Sequence, residues 1–426
     1  MTNLHPRAPS HNPQTTKNVV VTGIGAVTPI GTGVQGLWDG VLRAESAIRT
    51  VSSFDPSSFN SHLAAEILDF KPDAYLDPKR HKRLDRFSRF AMVAGLLALQ
   101  DAGIEPGSFD PDRAGVTIGS ALGGASSAEH EYVNFMTAGI RAVSPSLALS
   151  VFGGAASCNL AIEFGLTGYT TANSDSCASG PIALGNALNA IRRGEADLML
   201  AGGVEAPLFP LTFGAFSLIR AMSTRNDDPA TACRPFDKDR DGFVMAEGAA
   251  LLVLETEERA RSRGARIYAE LAGFGLTNDA YHMVAPRPDA AQAARAIRLA
   301  MADAGVSPAE VTYVNAHGSS TLLNDSTETQ AIKLALGERA YEIPVSGTKG
   351  MHGHALGATG AIEAAICALS IANAWVPPTV NLLEPGPGLD LDYVHGAGRA
   401  ARHNAVVSNS FGFGGINACL VLRSLA

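Results

Sequence analysis

The chain has 426 residues, of which 46% are hydrophobic and 17% are charged. This balance is typical of a soluble globular protein and excludes an intrinsically disordered chain, and the length predicts two or three domains. The net charge of −8, from 33 basic and 41 acidic residues, disfavours a nucleic-acid-binding protein. Five cysteines, an odd number, argue against a secreted disulfide framework and favour a reducing, cytoplasmic compartment.

The first seventeen residues are polar and contain proline, without the apolar core of a signal peptide, so residues 1–17 are predicted to be a disordered lead. No apolar run reaches the roughly 18 residues of a membrane span. The longest candidate, 364–376, is interrupted by Ser370 and Asn373 and is interpreted as a buried helix. We therefore expect no membrane insertion.

From residue 19 onward, apolar runs typical of buried strands alternate with helical patterns, which predicts an α/β fold. The predicted helices are 87–102, 181–193, 291–304 and 361–374. The predicted strands are 19–22, 115–118, 197–201, 250–254, 312–315, 344–346 and 418–422.

A weak internal repeat spans the chain. The segment A-L-Q-D-A-G-I at 98–104 precedes a strand at 116–120, and A-M-A-D-A-G-V at 300–306 precedes one at 314–318. A second similarity relates 179–184 to 359–364. These similarities predict two α/β halves, 18–265 and 266–426, that meet near 255–275. The alternative is that Asp-Ala-Gly is simply a common end of an alanine-rich helix.

Two motifs resemble cofactor or metal sites but lack residues that such sites need. The strand at 19–22 leads into Gly23-x-Gly25, but the third glycine of a dinucleotide fingerprint would fall at Thr28. His317, His352 and His354 have no carboxylate or cysteine at ligand spacing, which disfavours a metal site. The sequence therefore predicts neither a cofactor nor a metal.

The segment N-S-D-S-C-A-S-G-P at 173–181 leads into an amphipathic helix. Pro181 has no N–H group, which is tolerated only in the first turn, so Cys177 is predicted to lie at the helix N-terminus. The helix dipole and free N–H groups there should favour the thiolate and can bind an oxyanion. The alternative is a small buried hydrophobic residue, an interpretation that suits the other four cysteines better.

His317 and His354 each lie in a glycine-rich turn after a predicted strand. If the halves are duplicates, these turns lie near Cys177 at one end of the sheets. The segment N-S-F-G-F-G-G at 409–415 is a third glycine-rich loop with an aromatic residue, Phe411. A structural histidine and a tight turn are the alternatives.

Four motifs occur in one order along the chain: S-C-A-S-G, V-N-A-H-G-S-S-T, T-K-G-M-H-G-H-A-L-G-A-T-G and N-S-F-G-F-G-G. With them the chain, from about residue 19 to its end, resembles the β-ketoacyl-[acyl carrier protein] synthases, most closely the elongating type of bacterial fatty acid synthesis. The resemblance implies a duplicated thiolase-like fold with five αβαβα layers, a homodimer and no cofactor.

The resemblance also implies roles. Cys177 matches the nucleophile that accepts an acyl chain, and His317 and His354 match the pair that binds the malonyl thioester and promotes its decarboxylation. By the same resemblance, Lys349 matches an ordering lysine, Glu363 a supporting carboxylate and Phe411 a gate. Substrate contacts are matched by Leu122, Ser319 and Thr321. A basic dock for an acidic acyl carrier protein is matched by Lys79, Lys82, Arg83 and Arg220. An ordinary solvated helix end is the alternative for the dock.

The chain departs from the family pattern in several places. Ser176 stands where alanine is usual, the first histidine motif has Ser319 in place of a threonine, and His352 replaces a small hydroxyl residue. These departures leave room for a specialised polyketide-like pathway. Two further alternatives are a degradative thiolase, which lacks the Lys349 loop and the paired histidines, and a non-catalytic chain-length partner, which lacks the nucleophile.

Overall fold

A computed structural model describes residues 17–425, and these contain sixteen strands and thirteen α-helices. Apart from Lys17, the predicted lead at 1–17 lies outside the described residues. The strands are β1 Val19–Thr28, β2 Gly31–Thr32, β3 Arg49–Thr50, β4 Leu63–Ala65, β5 Ala114–Gly119, β6 Thr170–Asn173, β7 Leu198–Glu205, β8 Met245–Ala246, β9 Gly248–Thr256, β10 Ala269–Asn278, β11 Val311–Asn315, β12 Val345–Ser346, β13 Trp375–Val376, β14 Arg399–Ala400, β15 Ala405–Gly412 and β16 Ile416–Arg423. The helices are α1 Gly33–Arg43, α2 Pro78–His81, α3 Arg86–Asp101, α4 Ala125–Ala138, α5 Leu147–Ser150, α6 Ala155–Phe164, α7 Ser179–Arg192, α8 Pro210–Leu218, α9 Glu257–Ser262, α10 Ala291–Ala304, α11 Leu322–Leu336, α12 Lys349–His352 and α13 Leu356–Asn373.

The main sheet reads the same from either end. Its order is β12-β11-β15-β16-β10-β1-β9-β7-β5-β6, with β2 attached to β1. From the central antiparallel pair β1 and β10, each half adds two antiparallel neighbours and then two parallel ones. This order supports the internal repeat, and we propose that 18–265 and 266–426 are the two copies.

Helices lie on both faces of each half-sheet. The helices α7 and α13 contact each other and strands of both halves, so they form a middle layer. One outer layer is α3 with α6, over β1, β9 and β5, and the other is α10 with α11, over β10 and β16. The predicted five-layer αβαβα architecture is confirmed.

The Gly23-x-Gly25 motif lies inside β1, where it lets α3 approach the sheet. A Cβ atom at Gly23 would lie 2.2 Å from the Ala98 carbonyl oxygen, and one at Gly25 would lie 1.8 Å from that of Ala94. The motif therefore serves backbone packing between helix and strand.

The same arrangement recurs in β10. A Cβ atom at Gly273 would lie 2.2 Å from the Ala300 carbonyl oxygen, and Gly275 has the same relation to Ala296 at 2.1 Å. The register of both strands also shifts just before the first of these glycines.

The aspartate of each repeated D-A-G segment holds the residue between the paired glycines. Ile24 N–H donates to Asp101 Oδ2 at 2.9 Å, and Phe274 N–H donates to Asp303 Oδ2 at 3.0 Å. The repeated letters therefore correspond to a repeated contact, which a generic helix end does not require.

Helix α13 is the one described helix that is long and apolar enough to cross a membrane, and 83% of that stretch is buried inside the protein. The buried-helix interpretation of this region is confirmed. The helix begins at Leu356, five residues before the predicted start. Gly357 and Gly360 lie in its first turns, and glycine in a sequence does not indicate a helix. The other predicted elements are present, although β1 extends six residues beyond its predicted end. The strands that were not predicted are β2, β3, β4, β6, β8, β10, β13, β14 and β15, and of the helices only α3, α7, α10 and α13 were predicted.

Candidate active site

Two helix N-termini meet where the middle layer reaches the end of the sheet. Cys177 lies in a short 3-10 turn that leads directly into α7, and Pro181 is in the first turn of that helix, as predicted. His354 precedes α13 by two residues. A Cβ atom at Gly180 would lie 2.9 Å from the Gly357 carbonyl oxygen, so backbone contact between α7 and α13 brings the two ends together.

The three predicted reacting side chains share one cavity of about 320 Å³. Cys177 Sγ lies 3.1 Å from His354 Nε2, and the rings of His317 and His354 are 5.3 Å apart and nearly perpendicular. The Phe411 ring lies 6.0 Å from that of His317. The expectation that thiol and imidazoles converge is met in the geometry.

The other sequence-predicted residues fall into three groups. Ser319, Thr321 and Arg220 line the cavity with the reacting residues. Leu122 packs in the apolar cluster that contains Cys177. Lys349 and Glu363 are fully buried.

Lys349 connects the buried carboxylate to the first imidazole. Its Nζ donates to Glu363 Oε1 at 2.6 Å and to the His317 carbonyl oxygen, and it lies 3.4 Å from His317 Nδ1. Burial raises the pKa of Glu363 to about 7, and the Lys349 charge acts against that shift. The pair therefore places a cation behind His317 without solvent.

Both imidazoles are neutral at physiological pH. Burial, followed by the Lys349 charge, holds the pKa values of His317 and His354 well below their usual range. The Lys349 ammonium can donate to His317 Nδ1, and the Thr359 hydroxyl, 2.9 Å from His354 Nδ1, can donate there. Both rings would then carry their proton on Nε2, as hydrogen-bond donors need.

The expectation that the helix N-terminus favours the thiolate of Cys177 is wrong. Burial raises the pKa of this thiol above its usual value, and this outweighs the lowering by Ser176, Lys349 and the Phe413 backbone N–H. Ser176 Oγ lies 3.7 Å from Cys177 Sγ. Desolvation outweighs the partial charge of the helix end because the thiol is 7% exposed.

Two buried carboxylates that support the site were missed. Glu328 accepts from the N–H groups of His317 and Gly318, at 2.7 and 2.8 Å, and fixes the first histidine loop. Glu205 accepts from the N–H groups of Ala121 and Leu122 in the other half. Glu205 is the last residue of the buried strand β7, and an acidic residue at the end of an apolar run was a signal that could have been used.

Gly412 lies next to the backbone amides of the nucleophile and the residue after it. A Cβ atom at this position would lie 3.3 Å from the Cys177 nitrogen and 3.4 Å from that of Ala178. The Ala178 N–H donates to the Asp175 carbonyl oxygen at 3.1 Å, so the N–H group that the glycine leaves uncovered for a substrate oxygen is that of Cys177.

The predicted docking residues are exposed but do not form one group. Lys79 belongs to α2, and Lys82 and Arg83 follow it. Lys82 lines a separate groove with Asp73. Arg220 instead lies at the cavity that contains Cys177.

Family models match both halves of the chain. The model described as "Beta-ketoacyl synthase, N-terminal domain" matches residues 16–260, and "Beta-ketoacyl synthase, C-terminal domain" matches residues 268–383. The 3-oxoacyl-[acyl-carrier-protein] synthase 2 of Synechocystis sp. is 45% identical over 96% of this chain and 98% of its own. The protein of the same description from Coxiella burnetii is 43% identical over 95% of this chain and 98% of its own.

Solved structures agree with this fold. A type II polyketide ketosynthase in complex with its acyl-carrier protein (AntDE:AntF) has a TM-score of 0.90 and 37% identity, covering 96% of this chain and 100% of that one. The ishigamide ketosynthase/chain length factor has a TM-score of 0.91 and 35% identity, covering 97% and 100%. The thiolase-like fold class is confirmed. The chain belongs to the β-ketoacyl synthase family of condensing acyltransferases.

Proposed function

We propose that this chain is an elongating β-ketoacyl-[acyl carrier protein] synthase of fatty acid biosynthesis. It joins an acyl chain held on Cys177 to malonyl-[acyl carrier protein] and releases carbon dioxide. The observation that carries the proposal is the convergence of the Cys177 thiol, His354 at 3.1 Å and the His317 ring in one cavity. The family and the description shared by the curated relatives agree with it.

In the first half-reaction Cys177 takes the acyl chain. Its sulfur attacks the thioester carbonyl of the acyl carrier, the carrier sulfur leaves, and the cysteine proton passes to that leaving thiolate. The backbone N–H groups of Cys177 and Phe411 hold the tetrahedral oxyanion. Storing the chain as a thioester divides one difficult step into two.

In the second half-reaction malonyl thioester occupies the space beside the acyl-enzyme. The Nε2–H groups of His317 and His354 donate to its carbonyl oxygen, so that the carbon–carbon bond to carboxylate breaks and leaves an enolate. Neutral imidazoles stabilise this charge without delivering a proton that would quench the carbanion. The enolate carbon then attacks the acyl-cysteine carbonyl, and the Cys177 thiolate leaves.

The carrier protein docks on basic residues at the mouth of the cavity and on the nearby surface. The phosphopantetheine arm then extends into the cavity past Ser319 and Thr321, which face each other at 3.0 Å. Lys79, Lys82, Arg83 and Arg220 are exposed and can meet an acidic partner. A structure of a related ketosynthase with its acyl-carrier protein supports this partnership.

The active form is a cytoplasmic homodimer. The edge strand β6 leaves backbone groups of the large sheet unpaired just before the Cys177 turn. Helix α4 has no buried residue and exposes Tyr132, Phe135 and Met136. A second copy paired at this edge would satisfy the strand and cover the apolar surface.

Replacing Cys177 by alanine tests the nucleophile. After incubation with a medium-chain acyl carrier protein, intact-protein mass spectrometry should show an acyl adduct on the parent and none on Cys177→Ala, with condensation reduced at least about 10⁴-fold. Cys158→Ala, at an exposed cysteine, is the matched control and should still be acylated. An adduct on Cys177→Ala would refute the assignment.

A second candidate is a ketosynthase of a polyketide-like pathway. The structural similarity to a type II polyketide ketosynthase at 37% identity favours it, together with the departures at Ser176 and His352. Mass spectrometry of the acyl group on Cys177 in protein from its own host separates the two. A fully reduced chain supports fatty acid synthesis, and a polyketo or polyene chain supports the alternative.

A further inference from the structure

Arg240 is a buried arginine beside the cavity that the proposed chemistry does not use. Its side chain is 6% exposed, and the next two residues, Asp241 and Gly242, line the cavity. The guanidinium reaches the start of α11, the helix that follows the first histidine loop, residues 317–321. A buried cation is costly unless its donors are satisfied, so its contacts indicate what it holds in place.

The guanidinium binds main-chain oxygens of two chain segments at once. Nε donates to the Thr321 carbonyl oxygen at 3.2 Å, and Nη2 donates to that of Leu322 at 3.1 Å. Nη1 donates to the Asp237 carbonyl oxygen of its own segment at 2.9 Å, and Nη2 also donates to Ser326 Oγ at 3.1 Å. Arg240 therefore fastens a segment of the N-terminal half to the first turn of α11 in the C-terminal half.

Helix stability does not explain the presence of a cation here. The N-terminal end of a helix carries a partial positive charge, so a cation beside it is unfavourable. The Asp325 carboxylate lies 3.5 Å from Arg240 Nε and offsets that charge, and the same oxygen also accepts from Phe236 N–H at 2.8 Å. What an arginine adds is a planar group whose donors have a fixed geometry and can bind two successive carbonyl oxygens.

The loop that this segment holds has a strained backbone. Ser320 has a φ of 67°, which is uncommon for a residue with a side chain and persists only where the surroundings hold it. Its hydroxyl oxygen accepts from Arg234 N–H at 3.0 Å, and its carbonyl oxygen accepts from Gly242 N–H at 3.1 Å. The backbone of the segment thus holds Ser320, and the Arg240 side chain holds the two residues that follow.

Different contacts position the two ends of the loop. His317, at its start, is held by Glu328, which accepts from the His317 N–H at 2.7 Å. Ser319 and Thr321, toward its end, line the cavity with their hydroxyl oxygens 3.0 Å apart. Since Arg240 binds the carbonyl oxygens at this second end, its loss should move the hydroxyls and leave the imidazole in place.

We propose that Arg240 is a positioning residue for substrate binding. It fixes the start of α11 so that the hydroxyls of Ser319 and Thr321 meet the pantetheine arm of the thioester substrates. The inference rests on the proposed function, which places that arm in the cavity, and deepens it by assigning binding and chemistry to different ends of one loop. Arg240 acts through the loop backbone, so it governs KM and not the kcat of decarboxylation.

The test compares Arg240→Lys with the parent, as full-length proteins, on two malonyl thioesters. Lysine keeps the charge but has one ammonium group, which cannot replace both bonds of the planar fork. With malonyl-pantetheine, KM for carbon dioxide release should rise about five- to tenfold, and kcat should change by less than about twofold. With the S-ethyl thioester of malonic acid, which has no arm to meet the hydroxyls, parent and variant should not differ.

A combined variant shows whether Arg240 acts through the two hydroxyls. Ser319→Ala together with Thr321→Val removes both of them, so adding Arg240→Lys should raise KM no further, whereas independent effects would multiply. Arg225→Lys is the matched control, because Arg225 binds the Asp239 carbonyl oxygen of the same segment at 3.0 Å and should keep the parent kinetics.

A lower kcat on both thioesters would overturn the proposal, because it would mean that Arg240 supports the fold or His317. An unchanged KM for malonyl-pantetheine would also overturn it. If Arg240→Lys did not fold, Ser326→Ala, which removes one partner of the guanidinium, should raise the same KM about twofold at constant kcat, and parent kinetics there would refute the proposal. If the parent protein released no carbon dioxide from malonyl-[acyl carrier protein], the proposed function itself would fail.

Discussion

The two halves of this molecule share a scaffold and differ in their loops. In each, a helix lies on a Gly-x-Gly strand and an aspartate binds the residue between the glycines. In each, a buried glutamate holds the loop after an equivalent strand, Glu205 after β5 and Glu328 after β11. The N-terminal half supplies the thiol, and the C-terminal half supplies both imidazoles and the lysine. The two halves thus share a scaffold, while each supplies different reacting groups.

After the loss of the Cys177 thiol itself, the largest expected effect comes from the histidines of the C-terminal half. His317→Ala and His354→Ala should each reduce malonyl decarboxylation by about 10²–10³-fold, since each removes a donor to the enolate oxygen. Acylation of Cys177 should be unchanged in His317→Ala and a few-fold slower in His354→Ala, which loses the 3.1 Å contact to sulfur. Carbon dioxide release and acyl-enzyme mass spectrometry measure the two half-reactions separately.

His403→Ala is the control for this experiment, because His403 is buried but bonds the Trp375 carbonyl away from the cavity. Normal decarboxylation by either active-site variant would break the division of labour between the halves.

A smaller effect is expected at Gly412, a residue of the C-terminal half that lies beside the Cys177 amide of the N-terminal half. Gly412→Ala places a methyl group 3.3 Å from the Cys177 nitrogen. It should lower kcat for both half-reactions about 10–100-fold with little change in Tm, because each passes through an oxyanion at the same amides. Gly153→Ala, where a Cβ atom meets nothing within 4 Å, is the control. Loss of one half-reaction alone would show that the two do not share this site.

The paired carboxylates predict how stability depends on pH. Burial raises the pKa of both Glu205 and Glu328 from 4.5 to about 7. A raised pKa contributes stability below pH 4.5 that is lost as the pH rises through about 7. The contribution of these two groups to the free energy of unfolding by urea should therefore fall between pH 5 and 8, on the order of 2 kcal/mol each, whereas the buried histidines, whose pKa values are lowered, contribute in the opposite direction.

Glu205→Gln and Glu328→Gln should each remove a similar part of that slope, because glutamine does not ionise. A pH dependence that one variant changes and the other leaves as in the parent would show that the two halves do not carry equivalent carboxylates.

The smallest effect is expected at Ser176, beside the nucleophile. The Ser176 hydroxyl lies 3.7 Å from Cys177 Sγ and lowers the pKa of the thiol, so Ser176→Ala should raise that pKa. Alkylation of Cys177 by iodoacetamide at pH 8 should slow about two- to threefold. The exposed Cys158 in the same sample should react as before. Faster alkylation of Cys177 would contradict the hydrogen bond.

Much of this site could be predicted because its signals are local. Pro181 places Cys177 at a helix start whatever surrounds it, and strand-then-glycine patterns locate both histidine loops. The start of α13 was missed because Gly357 and Gly360 in a sequence indicate a loop. In the fold both glycines allow close contact with other segments, which the local sequence does not reveal. The protonation of Cys177 was misjudged because a local helix end says nothing about desolvation, which depends on the whole fold. The same holds for Glu328, whose partners lie ten and eleven residues away.

The crossing of α7 and α13 gives the enzyme room to change. Gly180 and Gly357 bring main chain against main chain there, so the separation of the backbones that carry the sulfur and the imidazole is set by main-chain contact. Side chains farther along the cavity wall can be exchanged, and a different acyl chain accommodated, without altering the distance over which the new bond forms. A catalyst built this way can acquire new substrates by ordinary point mutation while its reactive geometry stays constant.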